Sequence, residues 1–204
     1  SYNANTLTEN GTVTEAAVET GAELLGYSGF ASGDNLTRGD DADYNSHGTG
    51  AVHQCGWLQC SGNSAVETLT GLANSGNTIR FTTRLAANGT ISFTIAGAST
   101  SGGINSTSVL DDGDWHRFDI VRRSNTELEL WVDGVLEATD ATAYGSISGT
   151  ILFAIGVRPD DGSTEPATTT TLSLVRLAAS ATSADQILKA YEAEKGMFAA
   201  NAKC

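Results

Sequence analysis

The sequence has few cysteines, prolines and basic residues, and these shortages exclude several classes of protein. Its 204 residues include three cysteines and two prolines, and 24 acidic residues stand against 11 basic ones. Three cysteines are too few for the disulfide framework of a small secreted scaffold. The net charge of −13 repels phosphate backbones and anionic lipids, so we expect no nucleic-acid partner and no membrane insertion.

Long apolar runs are also missing. No run of about 18 apolar residues occurs, although 40% of the residues are hydrophobic. This length and composition predict one domain over residues 1–204. The chain starts at Ser1, without an initiator Met or a basic and then apolar leader, and ends at Cys204. We therefore expect it to be a fragment of a longer polypeptide.

Apolar and polar residues alternate with period two after Gly50, which indicates antiparallel β-strands. Asn88-Gly89 and Asp133-Gly134 predict tight hairpin turns, since both dipeptides accept positive φ angles. The predicted strands are Thr12–Val18, Gly26–Ala31, Ala51–Gln59, Ala65–Leu69, Thr78–Leu85, Thr90–Ala96, Thr107–Leu110, Trp115–Arg122, Thr126–Val132, Val135–Thr139, Thr150–Val157 and Leu172–Ala178.

One helix is predicted at the end of the chain. Ser183 can cap its N-terminus while Gln186 reaches back as in a capping box, and Gly196 ends it. The sequence thus predicts an all-β fold, a two-sheet antiparallel sandwich with one short C-terminal helix packed on an edge or a face. Trp57 and Trp115 are expected in or against the core.

Cys55 and Cys60 are predicted to be free thiols. Five residues of strand span about 16 Å and place the two side chains on opposite faces, whereas a disulfide needs Cα atoms within about 7 Å. His53 and Cys55 share a face, but two ligands do not make a structural zinc site.

Two segments resemble a known family. Residues 112–118 (DGDWHRF) and 128–134 (LELWVDG) resemble the D-G-x-W-H … L-x-L-x-V-D-G pattern of laminin-G-like domains, which implies a concanavalin A-like jelly roll. The closing segment 180–195 is similar to the end of such domains in bacteriophage tail and other virion proteins. The resemblance implies a virion or extracellular location and an oligomer, a trimer in a tail fibre or spike.

Two functions fit this resemblance. The first is a non-catalytic module that contacts a host-surface glycan. The alternative is a structural or assembly domain that packs against other virion subunits, or against copies of itself, without binding sugar. We do not expect an enzyme, because the Glu-x-Asp-x-x-Glu strand of retaining glucanases is missing and no Gly-x-Ser-x-Gly elbow occurs.

Calcium is the one cofactor that the resemblance implies, since many relatives of this fold bind it through rim loops. Asp111 and Asp160 are the preferred ligand pair among several acidic turns. Solvated turns without an ion are the alternative.

Trp131 is the aromatic residue that we expect to face outward. Leu128 and Leu130 point inward, so Glu129 and Trp131 share the outer face. We expect Ile120 to pair with Leu128 and Phe118 with Leu130, which puts Arg117 opposite Trp131. These three outer residues, Trp131, Arg117 and Glu129, form a candidate ligand site. Burial of Trp131 under a loop or a neighbouring subunit is the alternative.

Overall fold

A computed structural model describes residues 6–39, 50–74, 80–96, 102–142, 150–159 and 164–203. The strands are β1 (Thr8–Asn10), β2 (Thr14–Ala17), β3 (Leu25–Ser28), β4 (Asn35–Arg38), β5 (Val52–Ser61), β6 (Glu67–Asn74), β7 (Arg80–Leu85), β8 (Thr90–Ala96), β9 (Gly102–Val109), β10 (Asp112–Ser124), β11 (Glu127–Val132), β12 (Val135–Asp140), β13 (Ile151–Ile155) and β14 (Thr170–Ala178). Helix α1 (Ala184–Glu194) and a 3₁₀ turn (Lys195–Phe198) follow.

The strands form two antiparallel sheets of seven strands each. Sheet A has the order β1-β4-β13-β6-β7-β8-β9, and sheet B has the order β12-β11-β10-β5-β14-β3-β2. The main core lies between the sheets, where every second residue of a strand points inward, as Leu58, Leu72, Phe118 and Phe153 do. The predicted all-β sandwich with one short C-terminal helix is confirmed.

Helix α1 packs on the outer face of sheet B. Ser183 caps it with the predicted capping box to Gln186. Because Leu58 of β5 points into the sandwich, Trp57 points out of it, and it packs there against Phe198 and Val18. Trp57 is thus buried, as expected, but in a second cluster between sheet and helix. A third cluster joins Val121 of β10 to Ile187 of α1.

In the β10–β11 hairpin the predicted residues face inward, but the predicted cross-strand pairs are wrong by two residues. Phe118 pairs with Val132 and Ile120 pairs with Leu130. The reason is the turn, which is so tight that Ser124 pairs with Glu127. As a result Trp131 lies opposite Asp119, and the predicted neighbour Arg117 lies further along the strand.

Other local predictions are confirmed. Asp133 and Gly134 have φ angles of 50° and 78°, as the predicted two-residue turn requires, whereas at Asn88-Gly89 only Gly89, at 77°, has a positive φ. Cys55 and Cys60 are both free and buried. The short strands β1 and β4 were not predicted, because three or four residues are too few to show an alternation. Asp160 and Cys204 lie outside the described residues.

Candidate functional site

A groove with two lobes opens beside the C-terminal end of α1. The first, which we call the aromatic lobe, has a volume of about 240 Å³ and is lined by Trp57, Trp115, Tyr191, Phe198, Glu19, Gln59, Gly113, Asp114 and Lys195. The second, the hydroxyl lobe, has a volume of about 310 Å³ and is lined by Gln59, Cys60, Ser61, Gly113, Thr169 and Thr171. Gln59 and Gly113 line both lobes, so the two are adjacent.

Stacked rings build the aromatic lobe. The ring centroid of Trp57 lies 4.3 Å from that of Phe198 and 5.7 Å from that of Tyr191. Trp115 lies 4.7 Å from Phe198. Trp57 is only 1% exposed and forms the floor, whereas Trp115 and Tyr191 are partly exposed and offer ring surface to the groove.

Glu194 fixes the floor of the aromatic lobe. The indole N–H of Trp57 donates to Glu194 Oε2 at 2.8 Å, and the guanidinium groups of Arg117 and Arg176 also donate to this carboxylate. Burial raises the pKa of Glu194, but the hydrogen bonds and the two cations outweigh burial, so the pKa lies below its ordinary value. Glu194 therefore remains charged at neutral pH and holds α1 on sheet B.

A second layer of buried polar groups continues this network. Arg117 donates two hydrogen bonds of 2.8 Å to Asp119. His53 donates from Nε2 to Asp119 Oδ1 at 2.8 Å and from Nδ1 to Thr182 Oγ1 at 2.7 Å. Burial lowers the pKa of His53, but its interactions with Asp119 and Cys55 together outweigh burial and the pKa rises to about 9. These contacts fasten the segment that leads into α1.

His53, Cys55 and Asp119 form a buried group whose potential metal-ligand atoms lie within 4.8 Å of one another. Sequence reasoning missed Asp119 because it comes from β10, the neighbouring strand of β5. Both oxygens of Asp119 already accept from Arg117, and both ring nitrogens of His53 are engaged. These groups satisfy one another, so we assign the cluster a structural role.

The structure brings only two of the three predicted ligand residues together. The indole N–H of Trp131 donates to Glu129 Oε2 at 2.9 Å, and Arg123 pairs with the same carboxylate. Trp131 is 9% exposed and packs with Ile187 of α1. Arg117 is 2% exposed and belongs to the buried network. This burial favours the alternative interpretation, in which Trp131 is buried and does not face a ligand.

Asp111, one of the two predicted calcium ligands, accepts a hydrogen bond from the backbone N–H of Asn63 through Oδ2. Its Oδ1 is buried and has no hydrogen-bond partner in the part of the chain that the structure describes. One such oxygen fits a cation ligand, but calcium takes six to eight oxygens. Since Asp160 lies outside the described residues, the calcium site stays a prediction.

A larger cleft opens between the edges of the two sheets. Its two parts have volumes of about 410 and 440 Å³ and share Leu7, Ile155 and Val175. Most of the lining is aliphatic. The cleft also has Tyr27, Phe153, Glu9 and Glu15 in its lining. The aromatic lobe is smaller, but four of its nine lining residues are aromatic.

The fold and the match to a family model define the class of this protein. The chain belongs to the concanavalin A-like lectin/glucanases superfamily, because the family model of that description, Laminin_G_3, matches residues 52–188. No curated protein matches the sequence significantly. In the described residues, no helix has the length and apolar character needed to span a bilayer.

Solved structures of toxin binding domains share the fold. The chain is similar to botulinum neurotoxin type C, whose cell entry depends on interaction with two ganglioside molecules (13% identity, TM-score 0.66, 92% of this chain and 46% of that one). It is also similar to the binding domain of botulinum neurotoxin DC, solved in complex with SialylT (14%, 0.67, 92% and 46%). A third similar structure is the binding domain of Paraclostridial Mosquitocidal Protein 1 (9%, 0.71, 94% and 48%). The chain spans about half the length of each.

Proposed function

We propose that this chain is a non-catalytic binding module of an extracellular or virion protein, and that it holds a host-surface glycan in the groove beside α1. The observation that carries the proposal is the aromatic lobe. Its partly exposed Trp115 and Tyr191 rings lie beside the side chains of Glu19, Asp114 and Gln59.

This combination suits a sugar ring. A sugar presents an apolar C–H face, which packs on an aromatic ring, and a rim of hydroxyls, which donate to carboxylates or exchange hydrogen bonds with amides and hydroxyls. Next to it, the hydroxyl lobe offers the hydroxyl groups of Ser61 and Thr171 to a second ring, whereas that of Thr169 already donates to Glu67. Because the two lobes are adjacent, an oligosaccharide suits them better than a single sugar.

Two further observations support a binding role. Several of the similar toxin structures are binding domains, one of them solved in complex with rat synaptotagmin II. In the groove, the two lining carboxylates come from separate parts of the chain, since Glu19 follows β2 and Asp114 lies on β10. A retaining glucanase instead aligns its acids on one strand, about 5 Å apart.

The deciding experiment compares two tryptophans. We expect Trp115→Ala to abolish binding to host cells or to a glycan array, because Trp115 lines the groove, with a smaller loss of melting temperature. Trp131→Ala is the matched control: it removes a buried tryptophan outside the groove and should lower the melting temperature while binding at low temperature persists. Unchanged binding by a folded Trp115→Ala variant would refute the proposal.

Assembly is the second candidate function, and exposed apolar side chains favour it. Leu136 of β12 is 43% exposed and Leu188 of α1 is 47% exposed. Gly134 lies against Leu188, and Leu136 pairs with Trp131, which packs with α1. Leu136 and Leu188 therefore lie on the same outer side of sheet B, and exposed apolar side chains of this kind suit a contact with another subunit.

A further inference from the structure

We infer that the groove selects uncharged sugars and excludes glycans that carry sialic acid, sulfate or other anionic groups. This inference rests on the proposed function, because it names the class of ligand that the same groove takes. Its basis is the set of charges around the aromatic lobe.

The aromatic lobe presents more negative than positive charge to a ligand. Glu19 and Asp114 line it with two carboxylates, and Lys195 is the single basic residue among the described residues of its lining. The ammonium group of Lys195 is already paired with the carboxylate of Glu192, and it lies 5.4 Å from the centroid of the Tyr191 ring. The one cation of the lobe therefore already has a carboxylate partner before a ligand arrives.

The described lining of the hydroxyl lobe adds no positive charge to the groove, and the guanidinium groups of Arg117 and Arg176 beneath the floor are paired with Glu194. The described side chains of the hydroxyl lobe are amide, hydroxyl and thiol groups. Tyr191 and Lys195 belong to the C-terminal end of α1 and the turn after it. That end of a helix carries a partial negative charge, whereas anions bind at the opposite end.

These charges favour one kind of sugar. Hydroxyl groups of a neutral sugar donate to Glu19 and Asp114 in charge-assisted hydrogen bonds. An anionic glycan would instead bring a like charge close to both carboxylates, without the arginine or free lysine that normally binds such groups. The net charge of the whole chain, −13, adds to this repulsion at long range.

The test uses an array of matched glycans, in which each neutral oligosaccharide stands beside its sialylated and sulfated forms. We expect the wild-type chain to bind the neutral members at least about tenfold more strongly. A double variant, Glu19→Gln with Asp114→Asn, keeps the shape of the groove and removes both charges. It should bind neutral members more weakly and reduce the discrimination to about threefold or less, as should high salt.

The outcomes separate the inference from the proposed function. Trp115-dependent binding of sialylated or sulfated glycans that equals or exceeds binding of their neutral forms would overturn the charge selection and leave the glycan-binding function intact. Unchanged discrimination in a folded double variant would also overturn it. If no glycan on the array binds in a Trp115-dependent way, the proposed function itself fails.

Discussion

The indole N–H of Trp57 on β5 donates a hydrogen bond of 2.8 Å to the carboxylate of Glu194, which lies 137 residues later at the end of α1. This single contact connects the floor of the groove to the ionic network beneath the helix. Through this contact, the buried ionic network of Glu194 and Arg117 holds the ring of Trp57 in place, and with it the rings of Tyr191 and Phe198 that stack on Trp57.

The first prediction concerns this contact. Glu194→Gln removes the charge that Arg117 and Arg176 share, so we expect the free energy of unfolding to fall by about 2–3 kcal/mol. The value is below that for a fully isolated buried charge, because Arg117 keeps its pair with Asp119. Urea denaturation measures the loss. The matched control is Glu192→Gln, an exposed carboxylate of the same helix, which should change stability by less than about 0.5 kcal/mol.

Alkaline pH should weaken the fold. Against the effect of burial, the interactions with Asp119 and Cys55 together raise the folded-state pKa of His53 to about 9. That of His116 is raised to about 9 by its hydrogen bond to Asp133. A raised pKa contributes stability that is fully present below the unfolded value of about 6.5 and is lost as pH rises through about 9.

Urea midpoints between pH 6 and pH 10 check this prediction. A double variant with His53→Gln and His116→Gln should be less stable at pH 6 and should lose less stability over the same range. Equal pH slopes in the wild type and the variant would contradict the assignment.

Trp131→Ala should destabilise the fold strongly. The side chain is 9% exposed between β11 and α1, so its removal leaves a cavity that costs about 3–5 kcal/mol. Thermal unfolding measures the effect. A variant that melts like the wild type but no longer adheres to host surfaces would instead support the ligand role predicted for Trp131, Arg117 and Glu129.

Both central cysteines should be protected in the folded chain. Cys55 and Cys60 are free and buried, so we expect slow reaction with a thiol reagent in native buffer and rapid reaction of both in denaturant without reductant. Peptide mass analysis identifies the modified residues. A peptide that contains both cysteines and has lost two protons would contradict the prediction.

The protein should form an oligomer, and a trimer is expected if it is a tail fibre or spike. Light scattering of the full-length protein tests this. If Leu188 is part of the interface, Leu188→Ser should shift the population towards monomer. A full-length protein that is entirely monomeric would refute the oligomer prediction.

Local patterns in the sequence predicted much of the fold. The period of two located most of the long strands, and Ser183 with Gln186 located the helix, because alternation and capping depend on residues close in the chain. The β10–β11 pairing was predicted with the right parity and the wrong partners. The apolar face of each strand determines which residues point inward, whereas the length of the turn determines which residues pair across the two strands.

The candidate groove was much harder to predict. Trp57 and Trp115 were expected in or against the core, since an aromatic residue within an alternating strand usually packs inward. No local pattern in the sequence indicates that α1 covers the outer face of sheet B. None indicates that Glu194 forms hydrogen bonds with Trp57 and Arg117. Asp119 joins His53 and Cys55 only because β5 and β10 are neighbours in sheet B.

The sequence by itself determined the all-β class, the faces of the long strands, the hairpin turns, the helix cap and the free state of Cys55 and Cys60, since each depends on spacing along the chain. The tertiary structure alone decided where α1 docks, which tryptophans keep exposed ring surface and which carboxylates lie beside them. Those features depend on the order of strands in sheet B and on ion pairs between residues far apart in sequence, and such contacts form only when the chain is folded.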